Sequence, residues 1–133
     1  MKAVTAKITR GINIGSYLKV ADNSGAKMVK IVAVKRGKSR KGRQISCGVA
    51  DLVKVSVRKG PKEMKKQLFY AVIVRQKKEY RRKNGERIAF ADNAVVLLKD
   101  EDGNPKGTLI KGPIAREVVE RWPFVAKIAS IVV

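Results

Sequence analysis

Three runs of Lys and Arg carry the most distinctive chemistry of this chain. The first is Lys35, Arg36, Lys38, Arg40, Lys41 and Arg43, spaced by Gly37 and Gly42. The second is Lys59, Lys62, Lys65 and Lys66, with Arg58 just ahead of it. The third is Arg75, Lys77, Lys78, Arg81, Arg82, Lys83 and Arg87, around the turn Asn84-Gly85. A guanidinium offers forked hydrogen bonds to phosphate oxygens, and an ammonium offers a point charge. One such run would read as a solvated face. Three runs with almost no acid between them read as a surface for a polyanion, and nucleic acid is the obvious one. The distribution sharpens this. Residues 1–90 hold 25 Lys+Arg against 5 Asp+Glu, whereas residues 91–133 hold six of each. The whole net charge of +20 belongs to the first two thirds, leaving the neutral end for a different task.

Other chemistry is poorly supplied. There is no His and one Cys, Cys47, so neither a Cys/His zinc site nor a His-based nucleophile system can be assembled. The expectation is a non-catalytic protein without metal, cofactor or small-molecule substrate. Two motif-like stretches fail on inspection. Gly37-Lys38-Ser39-Arg40-Lys41-Gly42-Arg43-Gln44 has the glycine spacing of a phosphate loop, but Arg43 and Gln44 stand where Lys and Ser/Thr are needed, and no long helix follows. Asp100-Glu101-Asp102-Gly103-Asn104-Pro105 lacks the spacing and terminal Glu of a calcium loop and reads as a solvated acidic turn.

The elements that must hold these loops are short strands. Tyr17–Val20, Met28–Lys35 and Asp51–Arg58 show apolar alternation, with the valines of the last on one face and Lys54, Ser56 and Arg58 on the other. Leu68–Val74 is continuously apolar, as in a strand buried on both faces. Arg87–Phe90 and Ala94–Leu98 follow, and Thr108–Ile110 is expected to close the set. Five or more strands at this spacing predict a mainly β fold, a small closed five-stranded barrel over about 14–111, within a single domain spanning 1–133. After Gly112-Pro113 the pattern becomes helical (about 113–131). Ile114, Val118 and Val119 share one face of Ile114–Arg121, and Arg116, Glu117, Glu120 and Arg121 lie towards the other. Pro123 is expected to end or kink that helix, with a second short one over Phe124–Ser130.

No stretch is long and apolar enough to span a bilayer, and the start carries no apolar signal segment. With a lone cysteine, the expectation is a reducing cytoplasm and no membrane partner. No recognition helix lies among the basic residues, and aromatics are few, so phosphate and shape contacts to folded RNA fit best. A free-standing OB-like binder of single strands is the alternative. It would stack bases on Tyr80 and Phe69.

The chain resembles the family of the universal large-subunit ribosomal protein numbered fourteen, in its archaeal and eukaryotic branch. Val20-Ala21-Asp22-Asn23-Ser24-Gly25-Ala26 is similar to the family's N-terminal motif. The stretch from Ala71-Val72-Ile73-Val74, through Asn84-Gly85 and Phe90, to Asn93-Ala94-Val95-Val96-Leu97 follows its signature, with Tyr70 where Gly is usual. Gly107-Thr108, Gly112-Pro113 and Arg116-Glu117 match the C-terminal part, and Arg75–Lys83 and Arg121-Trp122-Pro123 match the branch. The resemblance implies a five-stranded barrel with a projecting basic hairpin and small C-terminal helices. It implies contact with large-subunit rRNA, with small-subunit rRNA at inter-subunit bridges, and with neighbouring large-subunit proteins. It also implies a docking face for an anti-association factor, which by position would involve Thr108, Leu109, Arg116, Arg121 and Lys127.

Overall fold

Short β-branched runs separated by Gly- and Asn-bearing turns close into a barrel in the computed structural model, which describes residues 2–35, 37 and 39–133. The elements in chain order are β1 (Ile12–Asn13), β2 (Tyr17–Val20), β3 (Met28–Val34), β4 (Ser46–Cys47), β5 (Leu52–Lys59), β6 (Leu68–Arg75), β7 (Tyr80–Arg81), β8 (Arg87–Ile88), β9 (Ala94–Leu98), β10 (Pro113–Ile114), α1 (Arg116–Arg121), α2 (Pro123–Ala126) and β11 (Ile131–Val132). The barrel runs β2-β3-β5-β6-β9. Its strands are antiparallel neighbours except at the seam, where β2 and β9 pair in parallel through Lys19↔Ala94 and Val20↔Val95. Closure leaves no open sheet edge in the barrel.

Two apolar clusters lie on opposite faces of β6 and β9. Inside the barrel, Leu18, Val29, Ile31, Val53, Val55, Val57, Ala71, Ile73, Val95 and Leu97 pack together. This is the period-2 alternation read from the sequence. On the outer side of the same two strands, Val72, Val74, Val96 and Leu98 meet Ile110, Ile114, Val118, Trp122 and Val125. The C-terminal segment is thus a second layer on the barrel, so Ala71–Val74 are buried on both faces. Leu68, expected to share that burial, is exposed, and Phe69 and Tyr70 are half-buried, because the layer does not reach the start of β6.

Several expected elements differ. Thr108–Ile110 is not a strand; Ile110 makes only an isolated bridge to Asp22. Its neighbours are held by a side chain instead, since Asn23 Oδ1 accepts from the Thr108 and Leu109 amides at 2.8 and 3.2 Å. Strand β8 stops at Ile88 and pairs with β7 outside the barrel. Ile114 belongs to β10, which pairs in parallel with β11, a strand absent from the sequence reading. Pro123 opens the second helix from its first turn, where a missing N–H costs nothing. The break expected there falls on Trp122, at φ −124° and ψ 79°.

Candidate nucleic-acid interface

Each basic run is carried by a loop or hairpin that the fold anchors by its apolar residues. In the second run Met64 is buried, and the amides of Met64 and Lys65 both bond Pro61 O at 3.0 Å. Lys62, Lys65 and Lys66 therefore face solvent, beside exposed Arg58 and Lys59. The first run lies on the connection from β3 to β4. Lys35, Arg40, Lys41 and Arg43 are exposed there; Arg36 and Lys38 lie outside the described residues. Gly42, at φ 73°, would place a Cβ in open space, so the tip of this loop is unobstructed. Short strand β4 follows this loop, so no helix N-terminus is available for a phosphate loop.

The third run divides. Lys77, Lys78, Arg81, Lys83 and Arg87 are exposed around the hairpin of β7 and β8. Two Arg of the run turn inward, which corrects their reading as outward-facing cations. Arg75 is buried at the end of β6, with Nε donating to Asp92 Oδ1 at 2.7 Å and Nη1 to the carbonyls of Lys111 and Pro113 at 3.0 Å each. It ties the barrel to the C-terminal layer. Arg82 Nε donates to Glu117 Oε1 at 3.1 Å, and Nη2 donates to Val133 O at 2.5 Å. The Arg82 and Glu117 side chains are only 9% and 3% exposed. Glu117, expected on the polar side of the helix, faces the protein interior for this reason.

Tyr80 is wholly buried and donates its hydroxyl to Glu117 Oε1 at 2.8 Å. Burial first, and then that bond, push its phenol well above the usual range. It is not available to stack on a base. Phe69 packs partly against the barrel core, and the Lys106 ammonium lies 5.1 Å from its ring centroid. The single-strand alternative thereby loses Tyr80 outright and finds Phe69 half-covered.

The acids are mostly engaged within the fold. Asp22 Oδ2 accepts from Leu97 N at 2.9 Å and Oδ1 from Ser24 N at 3.1 Å. Glu101 accepts from Tyr70 at 2.7 Å and from Lys35 at 3.3 Å; the tyrosine bond first, and Lys35 second, hold its carboxyl below the usual range. Asp100 closes its own turn by accepting from Asp102 N at 3.0 Å and Asn104 Nδ2 at 2.9 Å, as a solvated Asx turn should. Among the described residues no cluster of His, Cys, Asp and Glu is placed to hold a metal ion, and no helix is long and apolar enough to cross a membrane.

At the neutral end, Thr108, Leu109, Arg116 and Lys127 are exposed, and Leu109 is 47% exposed. Arg121 is turned inward: its Nε donates to Lys2 O at 2.7 Å, and Nη1 lies 3.8 Å from Asp51 Oδ1. Burial is the main reason the Asp51 carboxyl sits above its ordinary value. Sequence reasoning missed Lys19, Lys27 and Lys111. They stand singly in the sequence, and the fold gathers them beside Lys59 around the turn at Asp22–Gly25. No local pattern could have flagged them.

Residues 11–133 match the family model described as ribosomal protein L14p/L23e. The chain is 61% identical over 133 residues to the large ribosomal subunit protein uL14 of Nanoarchaeum equitans, covering all of both chains. Over the same full coverage it is 53% identical to the uL14 of Methanothrix thermoacetophila and 50% identical to that of Methanocorpusculum labreanum.

Proposed function

The chain belongs to the L14p/L23e family of ribosomal proteins and is a structural constituent of the large ribosomal subunit, and from that premise we propose that it binds large-subunit rRNA through its exposed basic loops. One observation carries the reading. Among the described residues, the exposed cations Arg40, Lys41, Arg43, Arg58, Lys59, Lys65, Lys66, Lys77, Arg81 and Lys83 form no salt bridge, while carboxylates at Asp22, Asp92 and Glu117 are engaged inside the fold. Such a surface repels itself until a polyanion covers it. Contacts would be to phosphate and shape rather than to stacked bases.

Contact with small-subunit rRNA at an inter-subunit bridge belongs to the same reading, as does contact with neighbouring large-subunit proteins. The neutral face around Thr108, Leu109, Arg116 and Lys127 would take protein, including an anti-association factor. Arg121 would support that face from beneath rather than touch a partner. The protein would act by binding alone, as one folded unit, in the cytoplasm as part of the ribosome. Crosslinking with mass spectrometry on native ribosomes tests this. Lys59, Lys65, Lys77 and Lys83 should crosslink to RNA, and Lys127 to protein. The reverse distribution would refute the reading.

A further inference from the structure

Gln76 follows β6 directly, at the entry to the basic hairpin, and is wholly buried. Its Oε1 accepts from Val49 N at 2.8 Å, and its Nε2 donates to the carbonyls of Thr9 and Lys78 at 2.8 Å each. One amide facing the oxygen and two carbonyls facing the nitrogen leave the side chain a single orientation. Its main-chain carbonyl accepts from Phe90 N at 3.0 Å, at the exit of the hairpin. One buried residue thus fastens the N-terminal segment, residues 48–50 and both roots of the hairpin.

Residues 2–10 run from that point as a strap. Val4, Ala6 and Ile8 pack against the outer core, while Thr5, Lys7 and Thr9 between them are exposed. At Lys7 the strap pairs with the edge of β7 away from β8, where Lys7 N donates to Arg81 O at 3.0 Å. It adds a third segment to a two-stranded ribbon that would be marginal alone. The same strap reaches α1, because Thr5 Oγ1 donates to Glu120 Oε2 at 2.8 Å and Lys2 O accepts from Arg121 Nε at 2.7 Å. Close packing seats its other end. A Cβ on Gly48 would stand 2.6 Å from Ile8 Cγ2 and 2.7 Å from Gln76 Oε1, and one on Gly11 would stand 2.6 Å from Lys78 Cβ. The strap precedes residues 11–133, the stretch that matches the family model.

We infer that residues 2–10 set the position of the basic hairpin against the C-terminal layer, and that Gln76 is the positioning residue that holds this strap closed. The inference rests on the RNA-binding reading above and adds the element that pre-orients one of its contact surfaces. Gln76 is uncharged and buried, so it acts through the hairpin and touches no ligand. With the strap closed, Lys77, Lys83 and Arg87 are presented in one arrangement. With it open, the hairpin must be ordered at the moment of binding, and affinity falls by that ordering cost.

The test pairs amide hydrogen exchange with RNA binding, on the full chain and in variants that leave its charge unchanged. Gln76→Met keeps the volume and removes the three side-chain hydrogen bonds; Ile8→Ser loosens the strap without touching the clamp. Both should speed exchange at Lys7, Arg82 and Gly85 about tenfold or more. Exchange at Val20 and Ala21 in the barrel should stay at the wild-type rate, which shows that the fold is intact. Affinity for transcribed large-subunit rRNA should fall about fivefold. The slope of log affinity against log salt should not change, because no phosphate contact is removed. The conservative Ile8→Val should match wild type in both measurements. Unchanged hairpin exchange in Gln76→Met, or barrel amides speeding up equally, would overturn the clamp. Faster hairpin exchange with wild-type affinity would overturn the positioning role while leaving the RNA-binding reading intact. A wild-type affinity that ignores salt has a different signature and would overturn that reading itself.

Discussion

Tyr80 and Glu117 meet at 2.8 Å, with the phenol donating to a carboxylate that also accepts from Arg82. The base of the basic hairpin is thereby fixed to helix α1, and through Arg82 Nη2 to Val133. The exposed tip of the hairpin and the neutral C-terminal layer are therefore held in one frame. A buried carboxylate is tolerable here because a guanidinium and a hydroxyl both satisfy it.

Neighbouring arginines should therefore fail in opposite ways. Arg82→Ala leaves Glu117 buried with Tyr80 as its remaining side-chain donor and should cost about 3 kcal/mol in urea unfolding. Arg81→Ala removes an exposed side chain and should change stability by no more than about 0.5 kcal/mol. It should instead lower the salt dependence of RNA binding by roughly one phosphate contact. Equal stability for the two variants would contradict the buried pair.

This contrast also marks what could be read in advance. The barrel strands were legible because one buried face imposes a period of two, as in Val53, Val55 and Val57, and double burial of Ala71–Val74 in β6 appeared as part of an unbroken apolar run, which the exposed Leu68 merely extends. Which arginine of a basic run turns inward was not legible. Arg81 and Arg82 are adjacent and chemically alike, and only Glu117, 35 positions away from Arg82, distinguishes them. Strands β10 and β11 escaped for the same reason, since two-residue pairings arise from tertiary packing and leave no periodicity. The lysines around the turn at Asp22–Gly25 are the extreme case, because Lys19, Lys27 and Lys111 become neighbours only when the barrel closes.

Asn23 is the joint between the barrel and the exposed segment at Thr108 and Leu109. Its Oδ1 takes both amides, and its Nδ2 donates to Thr108 Oγ1 at 2.9 Å. Asn23→Ala should leave global stability lowered by only about 1 kcal/mol. Amide exchange at Thr108 and Leu109 should nonetheless accelerate strongly, because both amides donate to Asn23 Oδ1 and the segment's backbone pairing is confined to the bridge at Ile110. Unchanged protection at those two amides would show that the segment is held by something else.

Stability should fall on the alkaline side. Burial, with a smaller contribution from Asp51, pushes the Cys47 thiol up to about 12 from 9.0, and burial together with Glu117 raises the Tyr80 phenol. Both groups stay protonated in the folded chain at pH values where the unfolded chain has released its protons. The unfolded state then binds fewer protons, so stability declines as pH rises above about 9 and continues to decline towards 12. Thermal unfolding across pH 8–11 checks this. Cys47→Ala should flatten the first part of the decline and Tyr80→Phe the part above 10. Alkylation of Cys47 at pH 8 should proceed only as fast as the protein opens, since the thiol is fully buried.

Gly103 supplies the seat for Trp122. It adopts φ 98°, and a Cβ there would stand 2.7 Å from Trp122 Cε3 and 3.2 Å from Cζ3. Trp122 cannot retreat freely, because its indole Nε1 donates to Ala50 O at 2.9 Å within the outer core. Gly103→Ala therefore combines left-handed backbone strain with overpacking and should cost about 2–4 kcal/mol. The damage should be local to the C-terminal layer, because the barrel interior is packed on the far side of β6 and β9. Trp122 is the only tryptophan and is 5% exposed, so its emission reports this layer alone. The variant should show red-shifted emission that melts before the far-ultraviolet circular dichroism of the strands. Wild-type emission and a single coincident transition would mean that the acidic turn can shift away from the indole, and that Gly103 is dispensable.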